Sequence, residues 1–204
     1  MFTTIWPLSA MLSFRFFGLF LILPVLSVYG RSMEGATPLL VGVIVGGYAL
    51  TQALFQVPFG TISDKIGRKP TLFVGLLIFL IGSVISAMST DIYMLMVGRF
   101  LQGAGAIGAV VTAMISDLVP EEVRGKAMEM MGGTIAIAFA VAMGLGPVLG
   151  AAYGVDVLFW FTAGPAIVAM LLLFTKVPTP PPLRPIYHNH TTNTDIIKTP
   201  HHLW

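Results

Sequence analysis

The chain has no cysteine, and none of its four histidines precedes position 188. Without cysteine, disulfide bonds, thiolate metal sites and a cysteine nucleophile are excluded. Without histidine before that position, a serine-histidine or metal-dependent enzyme lacks its usual parts in the long apolar region. We therefore expect no enzymatic activity, no metal site and no cofactor.

Charge is also scarce, because Asp, Glu, Lys and Arg together make up only 10% of the residues. Hydrophobic residues make up 56%, in long runs that a soluble domain could not hide from water. The formal net charge of +2 is small, and we expect no nucleic-acid partner. The composition predicts an integral membrane protein surrounded by the lipid bilayer.

Six apolar runs are long enough to cross a bilayer as helices. Each crossing needs about 20 residues, because a helix rises about 1.5 Å per residue and the hydrocarbon core is roughly 30 Å thick. A membrane β-barrel would show short segments of alternating polarity, which these continuous runs exclude. We expect an all-α bundle over residues 1–177. Its six transmembrane helices are predicted near residues 4–28, 38–59, 70–88, 92–116, 127–152 and 157–177.

The basic residues predict the orientation of these helices. One side of the membrane would carry eight Lys or Arg, whereas the opposite loops carry only Arg31. The eight are Lys65, Arg68, Lys69, Arg124, Lys126, Lys176, Arg184 and Lys198. Because cytoplasmic loops are enriched in Lys and Arg, we expect a multi-pass protein of the cell membrane with both termini in the cytoplasm.

Residues 178–204 are rich in Pro, Thr, Asn and His, unlike the rest of the chain. This composition predicts a poorly ordered, extended tail or truncated linker rather than a seventh helix. All the histidines lie in this tail, and such a cluster can bind a transition metal. They are His188, His190, His201 and His202. An ordinary linker, or the out-of-frame end of a longer sequence, is the favoured alternative.

One stretch, GTISDKIGRKP at residues 60–70, concentrates charge between the second and third helices. Gly60 is expected to end the second helix, and Pro70 suits the first turn of the third. Asp64 and Arg68 stand four residues apart, the spacing at which an acid and a base meet on a helix. Charges that only anchor a loop in the cytoplasm would not explain the acid or the glycines.

This stretch resembles motif A of the major facilitator superfamily, which lies between the second and third of that family's twelve helices. The matching residues are Gly60, Asp64, Lys65, Gly67, Arg68 and Lys69. The resemblance implies a conformational latch, in which the acid faces a helix end of the second six-helix half. The arginine would join a charge relay with an acid at the end of the fourth helix, here Asp117. A carboxylate near a helix N-terminus gains roughly 0.3–1 kcal/mol, so this contact would favour the state that is closed to the cytoplasm.

The stretch VGRFLQGAGAIGAV at residues 97–110 resembles the family's fourth-helix signature, with its embedded Arg99 followed by Gln102. Its GAGAIG segment also fits the glycine pattern of nucleotide-binding loops. No strand precedes it, so nucleotide binding is rejected. The glycines of the second and fourth helices are instead expected to permit close helix contact. They are Gly42, Gly46, Gly47, Gly103, Gly105 and Gly108.

The stretch AMGLGPVLGA at residues 142–151 resembles motif C of the antiporters, built around Gly146, Pro147 and Gly150. Ala stands at two positions where that motif usually has Gly, which weakens the implication of export over import. The order of two further stretches, FGLFLILPVLSVYG at residues 17–30 and GGYALTQALFQVPFGTISDKIGRKP at residues 46–70, is similar to proton-coupled drug antiporters of the YajR type in the bacterial inner membrane. The similarity covers one half of such a protein, an inverted 3+3 repeat of helices. A second six-helix bundle is therefore the implied partner.

Arg15 and Arg99 lie inside predicted membrane helices, where a charged side chain costs about 2.5–3.5 kcal/mol on insertion scales. They should face protein or a watery cavity, and in the family the corresponding helices line the central cavity. A fixed structural partner and a direct role in substrate or proton handling remain equal alternatives for both. Tyr48, Gln52 and Gln56 recur every four residues along one helical stripe, for which we favour the cavity over helix packing.

No Asp or Glu lies deep in a predicted helix, although proton coupling normally uses a titratable group there. Two alternatives follow: the proton carrier lies in the second bundle, or the arginines tune a site that the sequence does not reveal. We expect half of a proton-coupled exporter of small amphipathic compounds that works by alternating access. Two alternatives stay open: a truncated fragment that does not transport, and a six-helix channel or half-transporter that self-assembles.

Overall fold

A computed structural model describes residues 2–179 of the chain. Within this range the chain forms seven α-helices. They are α1 (Phe2–Ser32), α2 (Pro38–Ile66), α3 (Arg68–Ala87), α4 (Ile92–Ala104), α5 (Gly108–Leu118), α6 (Glu121–Tyr153) and α7 (Val155–Thr175). With α4 and α5 counted as one crossing, six segments are long and apolar enough to span a membrane. The predicted all-α membrane fold is confirmed. The predicted tail, from residue 180 onward, and its histidines lie outside the described residues.

The fourth predicted helix is interrupted, which corrects the prediction of one continuous helix over residues 92–116. Residues 105–107 separate α4 from α5, and the Ile107 amide donates to the Gly105 carbonyl at 2.9 Å across a tight turn. A side chain at Gly105 would overlap the carbonyl of Gly75 in α3. The residues on both sides of the break are as apolar as those of an uninterrupted transmembrane helix. Hydropathy therefore does not reveal the break.

The turn between α2 and α3 is shorter than predicted, because α2 continues past Gly60 to Ile66. Gly67 alone reverses the chain, with a φ of +104° that residues carrying a Cβ rarely adopt. Its amide donates to the Ser63 carbonyl at 3.1 Å and closes the end of α2. Gly60 therefore does not end the helix, whereas Pro70 lies in the first turn of α3 as predicted.

The helices pack in pairs that follow an inverted three-plus-three repeat. α1 packs most extensively against α6 and α7, α3 against α4 and α7, and α2 against α4. If the first, second and third crossings are exchanged with the fourth, fifth and sixth, each of these contacting pairs becomes a contacting pair of the same set. The pair formed by the third and sixth crossings is unchanged. This pattern is the one that an internal repeat of three helices produces.

Close packing of α2 against α4 depends on glycine. A Cβ at Gly103 would overlap the backbone carbonyl of Tyr48, and one at Gly47 would overlap the ring of Phe100. Three of the six glycines predicted to make close contacts have no described atom within 4 Å of a Cβ position: Gly42, Gly46 and Gly108. For these three the prediction is wrong within the described residues, because no neighbouring helix covers their faces.

Candidate functional site

The acids and the arginine of the predicted latch meet where the α2–α3 turn approaches the end of α5. The Nε atom of Arg68 donates to Asp117 Oδ2 at 2.8 Å, and its Nη1 atom donates to Asp64 Oδ1 at 2.5 Å. The Arg68 side chain is only 9% exposed, whereas those of Asp64 and Asp117 are 56% and 26% exposed. One buried cation is thus shared by acids of two helices. The contact ties the start of α3 to both α2 and α5.

Ser63 completes this group, although it is no part of the motif recognised in the sequence. Its buried hydroxyl accepts from Arg68 Nη1 at 2.5 Å and donates to the Gly60 carbonyl at 2.7 Å. Sequence reasoning missed it because α2 was predicted to end at Gly60. On a longer helix, Ser63 lies one turn further along, beside the arginine. We call Ser63, Asp64, Arg68 and Asp117 the latch cluster.

The remaining basic residues of the stretch lie outside the latch cluster. Lys65 is exposed and Lys69 is half-buried, and neither forms an ion pair with another residue in the described range. Nearby, Arg124 of α6 donates from Nη2 to the Ser116 carbonyl at 3.1 Å and joins α6 to the end of α5. The structure therefore brings Arg68 together with two acids and leaves both lysines apart.

Arg15 and Arg99 are buried inside the bundle, at 1% and 0% exposure. Both Nη atoms of Arg15 donate to the side-chain carbonyl of Gln52 at 3.4 Å. The Nη1 atom of Arg99 donates to the side-chain carbonyl of Gln102 at 2.7 Å, and Gln102 donates in turn to the Ser83 hydroxyl at 2.9 Å. Each guanidinium is therefore held by a neutral amide.

Tyr48 lies next to both arginines. The centre of its ring is 5.6 Å from the guanidinium carbon of Arg15 and 4.9 Å from that of Arg99. The rings of Phe16 and Phe79 each lie 5.6 Å from the same carbon of Arg15. Aromatic faces attract cations, so these rings stabilise positive charge in an apolar region. We call Arg15, Tyr48, Gln52, Arg99 and Gln102 the arginine cluster.

A cavity of about 240 Å³ lies beside the arginine cluster. Its lining residues are Phe16, Leu19, Phe20, Tyr48, Ala49, Gln52, Ala53 and Gln56. The polar stripe predicted on α2 therefore borders a cavity. Arg15, Arg99 and Gln102 are not among its lining residues. They are buried behind its wall, where glutamine carbonyls accept hydrogen bonds from the guanidinium groups and aromatic rings lie close to them.

The glycines of the predicted motif C lie where α6 crosses α1. A Cβ at Gly146 would overlap the carbonyl of Leu21, and one at Gly150 would lie 3.4 Å from a methyl group of Val25. Pro147 lies between them inside α6. The stretch brings two helix backbones together within the bundle. None of its residues lines the cavity described above.

The comparison with known families agrees with this arrangement. The sequence profile of the Major Facilitator Superfamily matches residues 8–201. The chain belongs to this superfamily. It is 47% identical over 173 residues to the inner membrane transport protein YajR of Escherichia coli (strain K12), covering 85% of the chain and 38% of that protein. It is 36% identical over 140 residues to the class H tetracycline resistance protein of Pasteurella multocida, covering 67% of the chain and 34% of that protein.

Solved structures of the superfamily share the fold. The crystal structure of the human organic anion transporter MFSD10 superposes with a TM-score of 0.71 at 22% identity, covering 87% of this chain and 47% of that one. A peptide transporter POT in complex with sulfate superposes with a TM-score of 0.75 at 16% identity, covering 89% and 41%. The chain spans less than half the length of the curated relatives it matches. It is a multi-pass membrane protein that corresponds to one six-helix half of this fold.

Proposed function

We propose that this superfamily member forms one half of a proton-coupled exporter of small amphipathic compounds, which works by alternating access in the bacterial inner membrane. The proton gradient would drive the exchange, and the bundle end that carries the latch cluster would face the cytoplasm. The names of two relatives support the proposal, since one is an inner membrane transport protein and the other confers tetracycline resistance. A second six-helix bundle would supply the opposite wall of the transport path.

The observation that carries this proposal is the unequal burial within the latch cluster. The Arg68 side chain is held inside the bundle at 9% exposure and that of Asp117 is 26% exposed, but Asp64 leaves 56% of its side chain exposed. A carboxylate in this position can approach the N-terminus of a helix in a second bundle, where the helix dipole stabilises it. Separation of the two bundles would remove that contact. The latch cluster would therefore favour the state in which the bundles are closed on the cytoplasmic side.

The surface of the described bundle offers room for such a partner. α2 and α6 are the least buried of the membrane crossings. Leu50, Leu54 and Val57 of α2 and Ile137 and Val148 of α6 are exposed apolar residues. This exposed apolar surface is available to pack against a second bundle.

The proposal is tested by joining this chain to the second half of YajR and measuring efflux of fluorescent amphipathic dyes from cells. Replacement of Asp64 by Asn should slow efflux and leave membrane insertion intact, because the carboxylate contacts the partner bundle rather than its own core. Glu122→Gln, an exposed acid in the first turn of α6, is the matched control and should transport normally. Normal efflux by the Asp64 variant would contradict the latch.

The same dyes distinguish the alternative functions when the chain is reconstituted alone in proteoliposomes. A self-assembling half-transporter or channel predicts a stable homodimer in detergent and dye flux without any partner. A chain that works only as half of an exporter predicts no flux alone and restored flux in the chimera. Absence of flux in both preparations would favour a fragment that does not transport.

A further inference from the structure

The arginine cluster contains two positive charges that no described acid balances. Arg15 and Arg99 are almost completely buried, and the ion pairs found within residues 2–179 involve only Arg68. A charge removed from water is costly unless a group of opposite charge or several acceptors compensate it. The aromatic rings around the two guanidinium groups reduce this cost but carry no net charge. The cluster therefore creates a region of positive potential inside the bundle.

The unused hydrogen-bonding atoms of the cluster are those that can donate. The Nε atom of Arg15, the Nε and Nη2 atoms of Arg99 and the hydroxyl of Tyr48 are buried without a partner among the described residues. A guanidinium group has five N–H donors and no acceptor, and a tyrosine hydroxyl can donate as well. What fits these atoms is an acceptor, and a charged acceptor bonds guanidinium groups more strongly than a neutral one.

The cavity meets this donor-rich region at two of its lining residues. Tyr48 contacts both arginines, and Gln52 directs its carbonyl oxygen to Arg15. The other polar part of the Gln52 side chain is its NH2 group, which can only donate. Phe16 and Phe20 provide aromatic surface in the same cavity. One side of the cavity therefore suits an apolar ring and the other suits an anion.

We propose that the cavity binds amphipathic compounds through a carboxylate group. The apolar body of the ligand packs on the aromatic side chains, and its carboxylate lies against Tyr48 and Gln52, in the field of the two buried arginines. Compounds that carry an ammonium group are disfavoured at the same place. This inference specifies the substrate class of the proposed function and rests on it for biological meaning, but ligand binding tests it without any transport.

The test uses three probes that share one ring system: naphthylacetate, naphthylethanol and naphthylethylammonium. Each is titrated into the purified chain in a nonionic detergent by isothermal calorimetry at neutral pH. We expect the carboxylate to bind at least tenfold more tightly than the ammonium, with the alcohol between them. Equal or tighter binding of the ammonium would overturn the proposal, as would failure of the carboxylate to bind.

Variants identify the source of this preference. Arg15→Gln and Arg99→Gln should each reduce the ratio of carboxylate to ammonium affinity several-fold, whereas Arg99→Lys keeps the charge and should retain most of it. Arg124→Gln, at the end of the bundle near the latch cluster, should leave the ratio unchanged. Gel filtration of each variant confirms that it is folded before titration. A ratio that survives both glutamine substitutions would refute the role of the arginines.

The chimera with the second half of YajR separates a ligand from a side chain as the source of the carboxylate. If the preference for naphthylacetate persists in the chimera, the cluster serves a ligand. If the preference is present in the chain alone and lost in the chimera, an acid of the second bundle occupies the cluster and the proposal is wrong. Preserved selectivity in a chimera that exports no dye would instead refute the proposed function and leave the ligand class intact.

Discussion

The latch cluster makes a quantitative prediction about the stability of the bundle, because its two acids differ in burial. Asp117→Ala removes the acceptor of Arg68 Nε from a guanidinium that is only 9% exposed. A hydrogen bond between charged groups in such a place contributes about 1.5–3 kcal/mol. Asp64→Ala removes a carboxylate that is 56% exposed, for which ion pairs typically contribute about 0.2–1 kcal/mol. The first variant should therefore lose more of the free energy of unfolding than the second.

The assay is equilibrium unfolding of the purified chain in mixed micelles, followed by circular dichroism as the fraction of denaturing detergent rises. Added salt provides a second signature, because screening acts more on the pair with the exposed acid Asp64 than on the pair with the partly buried acid Asp117. The loss of unfolding free energy in the Asp64 variant should become smaller at high salt, whereas the loss in the Asp117 variant should persist. Equal losses, or a larger loss at Asp64, would refute the argument from burial.

Three further predictions concern packing and hydrogen bonding. Gly103→Ala should destabilise the bundle by about 1–3 kcal/mol, because the added methyl group overlaps the backbone of α2. Gly108→Ala should not destabilise it, and unfolding in mixed micelles measures both variants. Ser63→Ala should cost about 1–2 kcal/mol in the same assay, because Arg68 loses a buried acceptor, and an unchanged midpoint would exclude Ser63 from the latch cluster. Tyr29→Phe removes a 2.6 Å hydrogen bond between α1 and α7 at an exposed site, so its effect should stay below about 1 kcal/mol; a larger loss in the unfolding assay would contradict this.

Helix length and type were predictable because the bilayer imposes them. All six predicted crossings are present, and their centres agree with the structure, since about 20 apolar residues are needed to cross the hydrocarbon core. The ends were less predictable. α2 continues to Ile66 through charged residues that hydropathy assigns to a loop, and the chain turns at Gly67. Asp64 and Arg68 still meet, although they lie on different helices, because the turn at Gly67 places the first residue of α3 beside the last turn of α2.

The details of the arginine cluster lay beyond sequence reasoning. The cost of desolvating a charge predicts that Arg15 and Arg99 face away from lipid. That cost does not distinguish a residue that lines a cavity from one buried behind the cavity wall. Ser83 was missed as well, although its hydroxyl orients Gln102 beneath Arg99. Its partner lies nineteen positions further along the chain. Only the crossing of α3 and α4 brings the two together.

The sequence by itself determined the membrane class, the number of crossings and the motif that places the chain in its superfamily, because hydrophobic length and local spacing act along one chain segment at a time. Tertiary structure decided which helices contact each other and which side chains those contacts bring together. It broke the fourth crossing where α3 approaches Gly105, gave Arg68 a partner in α5, and set two arginines behind the wall of one cavity. These outcomes depend on which helices contact each other. Glycines let helix backbones approach closely, but the contacting pairs are defined only when all six crossings are packed together.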